Sequence, residues 1–397
     1  MAESARKLLN VLTLNAIAGV GLQRFPADRY HVGSDVAAPD AILVRSHDMH
    51  AMDIPASVRA IGRAGAGTNN IPVDKMNQRG VPVFNAPGAN ANAVKELVIG
   101  ALLIAARNLL PAARFVDGLS GDDKTLHKLV EDGKKQFAGI ELPGRTLGVI
   151  GLGKIGSLVA DAAIKLGMDV LGYDPEITVD AAWSLSSQVR KAHSIEEVLK
   201  AADFVTLHVP LVPATRDLIN AQRAQLLKKG AVVLNFSREG IVDNDAVLAA
   251  LTARRLRAYV CDFPAQKLLG HPQVVALPHL GASTREAEDN CAVMVADQVR
   301  DFLEHGNIRN AVNFADAVMS RESDWRLAIA NANVPNMVGQ ISTALARAGL
   351  NIHNMLNKSR GEMAYTLVDV DSAVPDALIA ELAAIQGVLA VRYLPIT

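Results

Sequence analysis

Only two cysteines, Cys261 and Cys291, occur in 397 residues. They are too few for a disulfide framework and are not spaced as a C-x-x-C metal or redox pair, so both read as small core residues and no metal site is expected. Aromatic side chains make up only 4% of the chain, and no basic stripe is interleaved with them. With 40 basic against 41 acidic residues there is no net positive field, which argues against a nucleic-acid partner. Long apolar runs are missing as well. The most apolar helical stretch, around Val94 to Ala106, carries Lys95 and Glu96 and is too short to span a bilayer. The start, Met1 to Lys7, leads into a strand-like run, Leu8 to Leu14, instead of a signal-peptide core. A cytoplasmic protein with no membrane contact is expected.

What is present is an apolar half of the composition, enough to bury a sizeable core in two or three domains. Buried strands are predicted at Leu8 to Leu14, Ala41 to Val44, Val58 to Gly62 and Val81 to Phe84. A second series follows at Leu147 to Ile150, Phe204 to Val209, Ala231 to Asn235, Ala258 to Asp262 and Val274 to Leu277, with helical patterns between, which is the α/β signature of a doubly wound parallel sheet. An amphipathic helix spans about 286–305, and 311–323 has little periodicity and reads as a linker. From Arg326 the pattern is strand, helix, strand, strand, helix, strand, the ferredoxin-like plan. Its edge strands could pair with those of a second copy, predicting a homodimer or homotetramer.

Residues 145–174 carry the most chemistry. The strand ending at Ile150 stops at Gly151, whose missing side chain permits a tight turn. Gly153 lets the backbone close on a pyrophosphate, and Gly156 lets the following helix pack on the strand. Lys154 and Ile155 open that helix, whose free N–H groups and positive dipole end suit phosphate oxygens. Asp174 ends the next strand, where a carboxylate accepts hydrogen bonds from ribose hydroxyls and repels a 2′-phosphate. Because Pro175-Glu176-Ile177-Thr178 offers no cation for such a phosphate, the cofactor is read as NAD.

Hydride transfer to or from a secondary alcohol also needs a proton acceptor and a cation that fixes the substrate. Arg238 follows a buried strand, and its planar fork matches a 2-hydroxy or 2-oxo carboxylate bidentately. His279 lies between a strand and a helix and exchanges protons near neutral pH.

With these residues in view, the chain resembles the D-isomer-specific 2-hydroxy-acid dehydrogenases, most narrowly their phosphoglycerate-oxidising branch with a C-terminal ACT domain. The resemblance runs through Val44-Arg45-Ser46, Gly65 to Asn70, Asn85 to Gly88, Glu96-Leu97-Val98, the GLGKIG turn, His208-Val209-Pro210, Ser237 to Gly240 and Pro278 to Gly281. It implies a discontinuous flavodoxin-like substrate domain (1–92 and 287–315), a Rossmann-type NAD domain (93–286), an ACT regulatory domain (325–397) and an active site in the cleft between the first two. It implies that Arg238 anchors the substrate carboxylate and that His279 is the acid/base. It further assigns Arg45 and Ser46 to a phosphate group and Gly67 and Asn69 to substrate-loop contacts. His208, Val209, Pro210 and Asp262 fall near the cofactor. The reaction so implied is NAD-dependent oxidation of 3-phospho-D-glycerate, opening L-serine synthesis.

Three departures qualify this resemblance. His47 stands where a second arginine is often found, which weakens selectivity for a phosphorylated substrate. Gln266 occupies the place of the glutamate that orients the histidine; an amide can hold the ring but gives no Coulombic support to the imidazolium. That leaves open another D-2-hydroxy acid as substrate, a hydride transfer of the formate-oxidising kind, or an NAD- and amino-acid-responsive regulator with weak turnover. Asn331 stands where histidine is frequent in the C-terminal domain. There Asn333 and Asn351 match serine-binding positions, implying L-serine as an effector bound across a dimer interface.

Overall fold

A computed structural model describes residues 8–396; the start, Met1 to Lys7, read above for its lack of a signal-peptide core, lies outside them. The chain divides into two compact units. One is built from the segment up to Asn90 together with everything from Arg285 onward, the other from Ala91–Thr284.

In the first unit, β1 (Leu9–Leu14), β2 (Tyr30–Gly33), β3 (Ala41–Val44), β4 (Ala60–Arg63) and β5 (Val83–Phe84) form one sheet in the order β2-β1-β3-β4-β5, with every pairing parallel. This is the flavodoxin-like order, whose switch point lies between β1 and β3. All four residues of β3 are buried, as expected of a central parallel strand covered on both faces.

The second unit begins with helix α1 (Ala91–Arg107), which buries Ala91, Val94, Val98, Ala101, Leu102 and Ala105 along one stripe. Its sheet contains β6 (Thr146–Ile150), β7 (Asp169–Tyr173), β8 (Val189–Lys191), β9 (Phe204–Leu207), β10 (Ala231–Asn235), β11 (Leu256–Cys261) and β12 (Val274–Ala276). The order is β12-β11-β10-β9-β6-β7-β8, again all parallel. Order reverses between β6 and β9, and helix α2 (Lys154–Lys165) follows β6 directly. Cys261 and Cys291 are both buried, as read from composition.

The unit formed from both ends of the chain contains α3 (Arg285–His305) and then β13 (Trp325–Ala332), α4 (Met337–Arg347), β14 (Ile352–Arg360), β15 (Met363–Val370), α5 (Asp376–Ala384) and β16 (Val388–Pro395). The antiparallel order β14-β15-β13-β16 is ferredoxin-like. One face of this sheet carries Leu327, Ile329, Val368 and Val370 against α4 and α5. The other face, with Ala328, Ala330, Tyr365 and Leu367, joins the core that contains α3 and the first parallel sheet. β15 is therefore buried at all eight positions, which explains why its sequence does not alternate. The stretch 311–323, expected as a linker, enters the same core: Phe314, Ala317 and Met319 are buried, and Ile308 bridges Ala317. Its lack of periodicity reflects irregular backbone pinned by contacts on several sides. Among the described residues no helix is long and apolar enough to cross a membrane, and no three His, Cys, Asp or Glu side chains gather as a metal-ligand group.

Candidate active site

In the second unit, the residues singled out from sequence line one edge of one sheet. Asp174 follows β7, Gly151 to Gly156 follow β6, His208 to Pro210 follow β9, Arg238 follows β10, Asp262 follows β11 and His279 follows β12. That succession is also the spatial order of the strands. Neighbouring parallel strands run about 4.8 Å apart, so Arg238, Asp262 and His279, on three consecutive strands, are brought together by topology alone. Ligands bind beyond the carboxyl ends of such strands, at the point where strand order reverses.

The glycine turn has the shape a dinucleotide requires. Gly151 sits at φ +92°, and a Cβ there would lie 2.5 Å from the His208 carbonyl oxygen. A Cβ on Gly156 would lie 1.9 Å from the Gly151 oxygen, so no side chain fits. Around Gly153, in contrast, a Cβ would meet nothing within 4 Å; that open space lies at the N-terminus of α2, where backbone N–H groups are unsatisfied by the helix itself. The Asp174 carboxylate accepts from the Leu152 N–H at 2.8 Å and the Glu176 N–H at 2.9 Å. Each oxygen keeps a lone pair for a ribose hydroxyl. The residues present therefore fit NAD.

At the β9 end, the His208 imidazole pairs with the Thr206 hydroxyl at 2.9 Å, while its Nδ1 is sealed from solvent with no partner among the described residues. Burial lowers its pKa from 6.5 to about 4, so the ring stays neutral at physiological pH. A folded pKa below the unfolded one means that the unfolded chain takes up the proton first as pH falls. The stability contributed by this neutral ring is intact above about pH 6.5 and is lost between there and about pH 4. The loss amounts to up to about 3 kcal/mol. Urea unfolding at pH 7.5 and 4.5 should show wild type losing more stability than His208→Gln; equal losses would contradict this assignment.

Arg238 is exposed on a firmly held loop. Asn235, a buried amide at the end of an otherwise apolar strand, donates to the Arg238 carbonyl at 3.0 Å and accepts from the Ser237 N–H at 3.2 Å. From the sequence Asn235 only closes a strand and carries no assigned role, although a polar residue closing a fully buried strand must have partners. His279 is exposed and adopts φ +48°, unusual for a residue with a side chain. Its N–H donates to the Asp262 carbonyl at 3.0 Å, the Gly281 N–H donates to the Asp262 carboxylate at 3.3 Å, and its ring lies 5.1 Å from that of Phe263. Such backbone strain, held by surrounding contacts, is typical of functional sites.

Asp262 connects the two. The residue is 1% exposed, and burial raises its pKa, opposed in turn by the charge of His279, the Gly281 N–H and the charge of Arg238. Its Oδ1 has no partner among the described residues. Gln266, expected beside the histidine, begins a short 3₁₀ turn, is exposed, and makes no hydrogen bond to His279. The carboxylate that engages the His279 loop is Asp262, not a group at position 266.

In the first unit, Arg45 and Ser46 follow β3 at the switch point, and Gly67 and Asn69 occupy the loop after β4. Asn70 ties these loops by donating to the His47 carbonyl at 2.8 Å, and Asn15, beyond β1, accepts the His47 N–H at 2.6 Å. The Arg45 guanidinium is paired with Glu288 of α3 at 2.5 Å, both side chains being over a third exposed. Nothing in the sequence around Glu288 signalled this pairing, because 243 residues separate the partners.

The C-terminal asparagines divide. Asn333 and Asn351 lie in exposed turns, the first donating to the Gly361 carbonyl at 3.0 Å and the second to Asp371 at 2.7 Å. Asn331, unlike these two, is not a turn residue. β13 continues to Ala332, so Asn331 is a buried strand residue whose amide donates to the Ala332 carbonyl at 2.7 Å.

Comparison with known proteins bears on both units. Residues 99–281 match the family described as D-isomer specific 2-hydroxyacid dehydrogenase, NAD binding domain. The D-3-phosphoglycerate dehydrogenase of Methanocaldococcus jannaschii is 38% identical over 283 residues, which are 69% of this chain and 52% of that protein. The chain thus spans about half the length of that relative. The D-3-phosphoglycerate dehydrogenase of Haemophilus influenzae is 32% identical over 347 residues, 84% of this chain and 81% of that one. Among solved structures, the NAD+-bound 3-phosphoglycerate dehydrogenase of Entamoeba histolytica shares the fold, with a TM-score of 0.60 at 24% identity over 77% of this chain and 99% of that one.

Proposed function

This chain belongs to the D-isomer-specific 2-hydroxyacid dehydrogenase family, and on that premise we propose that it catalyses the NAD-dependent oxidation of 3-phospho-D-glycerate to 3-phosphohydroxypyruvate. The observation that carries this reading is the row of Arg238, Asp262 and His279 on adjacent strands, continuous with a dinucleotide turn. Gly151 to Gly156 and Asp174 would hold NAD, which would supply the hydride acceptor. Arg238 binds the substrate carboxylate through its planar fork. His279 removes the hydroxyl proton as the C2 hydride leaves, and the buried Asp262 charge stabilises the resulting imidazolium. By the family resemblance Arg45 and Ser46 are assigned to the phosphate group, and Gly67 and Asn69 to substrate-loop contacts.

The Arg45–Glu288 pair supports a second substrate reading, because a resident carboxylate competes with phosphate for that guanidinium. NADH formation measured across phosphoglycerate, malate, lactate, 2-hydroxyglutarate and erythronate-4-phosphate ranks the candidates. Phosphoglycerate should give the highest kcat/KM. Glu288→Gln should lower KM for phosphorylated substrates by up to about fivefold, corresponding to at most about 1 kcal/mol for a solvent-screened pair, and leave malate unchanged. Turnover confined to unphosphorylated acids would move the assignment to another D-2-hydroxy acid, and no turnover with any would favour a regulatory protein.

L-Serine is the proposed effector, bound at Asn333 and Asn351 in a homodimer or homotetramer. The support is chemical: exposed turn amides at both positions match the α-amino and α-carboxyl groups of an amino acid. Titration calorimetry should register serine binding together with loss of activity. Absence of both would remove the effector from this scheme.

A further inference from the structure

Although Arg238 is exposed, its guanidinium is tethered. The Nη1 donates to the carbonyl of Ser237 at 2.7 Å, while Nε and Nη2 have no hydrogen-bond partner among the described residues. The free Nε–Nη2 edge is the side of the fork that meets two carboxylate oxygens side-on. A long arginine side chain loses rotamer freedom when it is fixed, so one fixed before the substrate arrives binds that substrate at lower entropic cost. What holds the Ser237 carbonyl in place therefore aims the guanidinium.

Ser237 is itself held by its neighbours. Its N–H donates to Asn235 Oδ1 at 3.2 Å, and the same Asn235 amide donates to the Arg238 carbonyl at 3.0 Å, so the peptide between Ser237 and Arg238 is clamped at both ends. The Ser237 hydroxyl donates to the carbonyl of Val209 at 2.5 Å, across 28 residues of sequence. Register explains the meeting: Asn235 pairs with Leu207 where β10 lies beside β9, and Ser237 and Val209 each lie two residues further on. Val209 in turn rests on the dinucleotide turn. The His208 N–H donates to the Ile150 carbonyl at 2.8 Å, and a Cβ on Gly151 would lie 3.0 Å from Val209 Cγ1. A run of contacts within the second unit thus leads from the glycine turn through Val209 and the Ser237 hydroxyl to the guanidinium.

We propose that Ser237 is a positioning residue for the dehydrogenase reaction: its hydroxyl ties its own peptide to Val209 and so directs the Nε–Nη2 edge of Arg238 at the substrate carboxylate. This rests on the reading of Arg238 as the carboxylate anchor, and not on which 2-hydroxy acid is oxidised. Ser237 acts through Arg238. Without the hydroxyl the loop keeps its Asn235 clamp, so the fold persists while the guanidinium ranges more widely. Substrate affinity then falls, and proton and hydride transfer proceed as before once the carboxylate is bound.

Steady-state NADH formation by the full chain, with whichever 2-hydroxy acid gives the highest kcat/KM, tests this. Ser237→Ala should raise KM for that acid about five- to tenfold, corresponding to one side-chain hydrogen bond. It should change kcat and the KM for NAD by less than about twofold. A purely structural role would lower the active fraction, and so kcat, without moving KM. In the Arg238→Lys background, where the fork is already gone, the same exchange should shift KM by less than about twofold. An unchanged KM in Ser237→Ala, or an equal rise in both backgrounds, overturns the assignment. A wild-type KM in Arg238→Lys alone removes Arg238 as the carboxylate anchor and this role of Ser237 with it. A raised KM there, with none in Ser237→Ala, leaves the anchor standing and rejects Ser237 alone.

Discussion

Replacing His279 with glutamine lowers kcat by about 10²- to 10⁴-fold at neutral pH, with a much smaller change in KM. The amide of glutamine approximates the shape of the ring and its hydrogen-bonding reach, but cannot carry the hydroxyl proton away. The His279 backbone is held in its left-handed conformation by the Asp262 carbonyl and the neighbouring Gly281 contact, so the loop should survive the exchange. Retained NAD binding, followed by fluorescence, confirms that only chemistry is lost. Arg238→Lys makes a complementary case. The charge remains but the planar fork goes, and kcat/KM falls about 10- to 100-fold, the worth of a charge-assisted hydrogen bond. Most of that loss should appear in KM. Steady-state NADH formation with both variants reads the split, and a His279→Gln enzyme with near-wild-type kcat would assign proton removal elsewhere. Gln266→Glu addresses the expected pairing with the histidine: an acid limb of kcat/KM that does not move agrees with the absence of a Gln266–His279 hydrogen bond.

Asp369→Ala destabilises the first unit by about 3–5 kcal/mol, on the order of 10 °C in Tm. Arg326 and Asp369 face each other across β13 and β15 and form a two-pronged pair, at 2.6 and 2.8 Å, with both side chains 0% exposed. Arg326 also donates to the carbonyls of His305 at 3.1 Å, Met319 at 3.0 Å and Ser320 at 2.9 Å, and Asp369 accepts the Glu322 N–H at 2.9 Å. The pair therefore anchors the end of α3 and the irregular stretch before β13. Removing the acid strands a guanidinium in a dry interior. Removing both charges with Arg326→Met and Asp369→Leu relieves that penalty but not the lost carbonyl contacts, so the double variant should be more stable than Asp369→Ala and less stable than wild type. Urea unfolding of the three proteins measures this; a single variant within about 1 kcal/mol of wild type would show the pair is not sealed from water.

Strand-forming runs were legible where both faces of a strand are buried. Ala41 to Val44 and Ala231 to Asn235 were read with the ends they have in the structure, because a continuous apolar run has few other uses in a short segment. β2 and β8 were missed. They are edge strands, the second only three residues long with two of them exposed, and a half-solvated edge leaves little hydrophobic signal. The end of β13 was not legible because nothing local marks where the strand stops; its ladder with β15 carries it on to Ala332 and puts Asn331 inside it.

For the site, the glycine turn and the strand-end residues could be read because backbone geometry imposes them locally: a crossing that leaves 1.9 Å for a Cβ admits only glycine. The pairing of Arg45 with Glu288 and the charge of Asp262 behind His279 could not, since each brings together residues far apart in sequence, whereas the Asn235–Arg238 contact spans only three residues.

The sequence by itself determined the α/β class, the dinucleotide turn and the ferredoxin-like C-terminal plan, since periodicity and glycine placement act within a turn or two of the chain. Only the tertiary structure decided which strands became neighbours. It placed Arg238, Asp262 and His279 on adjacent strands and sank the expected linker into a shared core. Those outcomes depend on long-range packing and on charges brought out of water together, neither of which is encoded in any single segment.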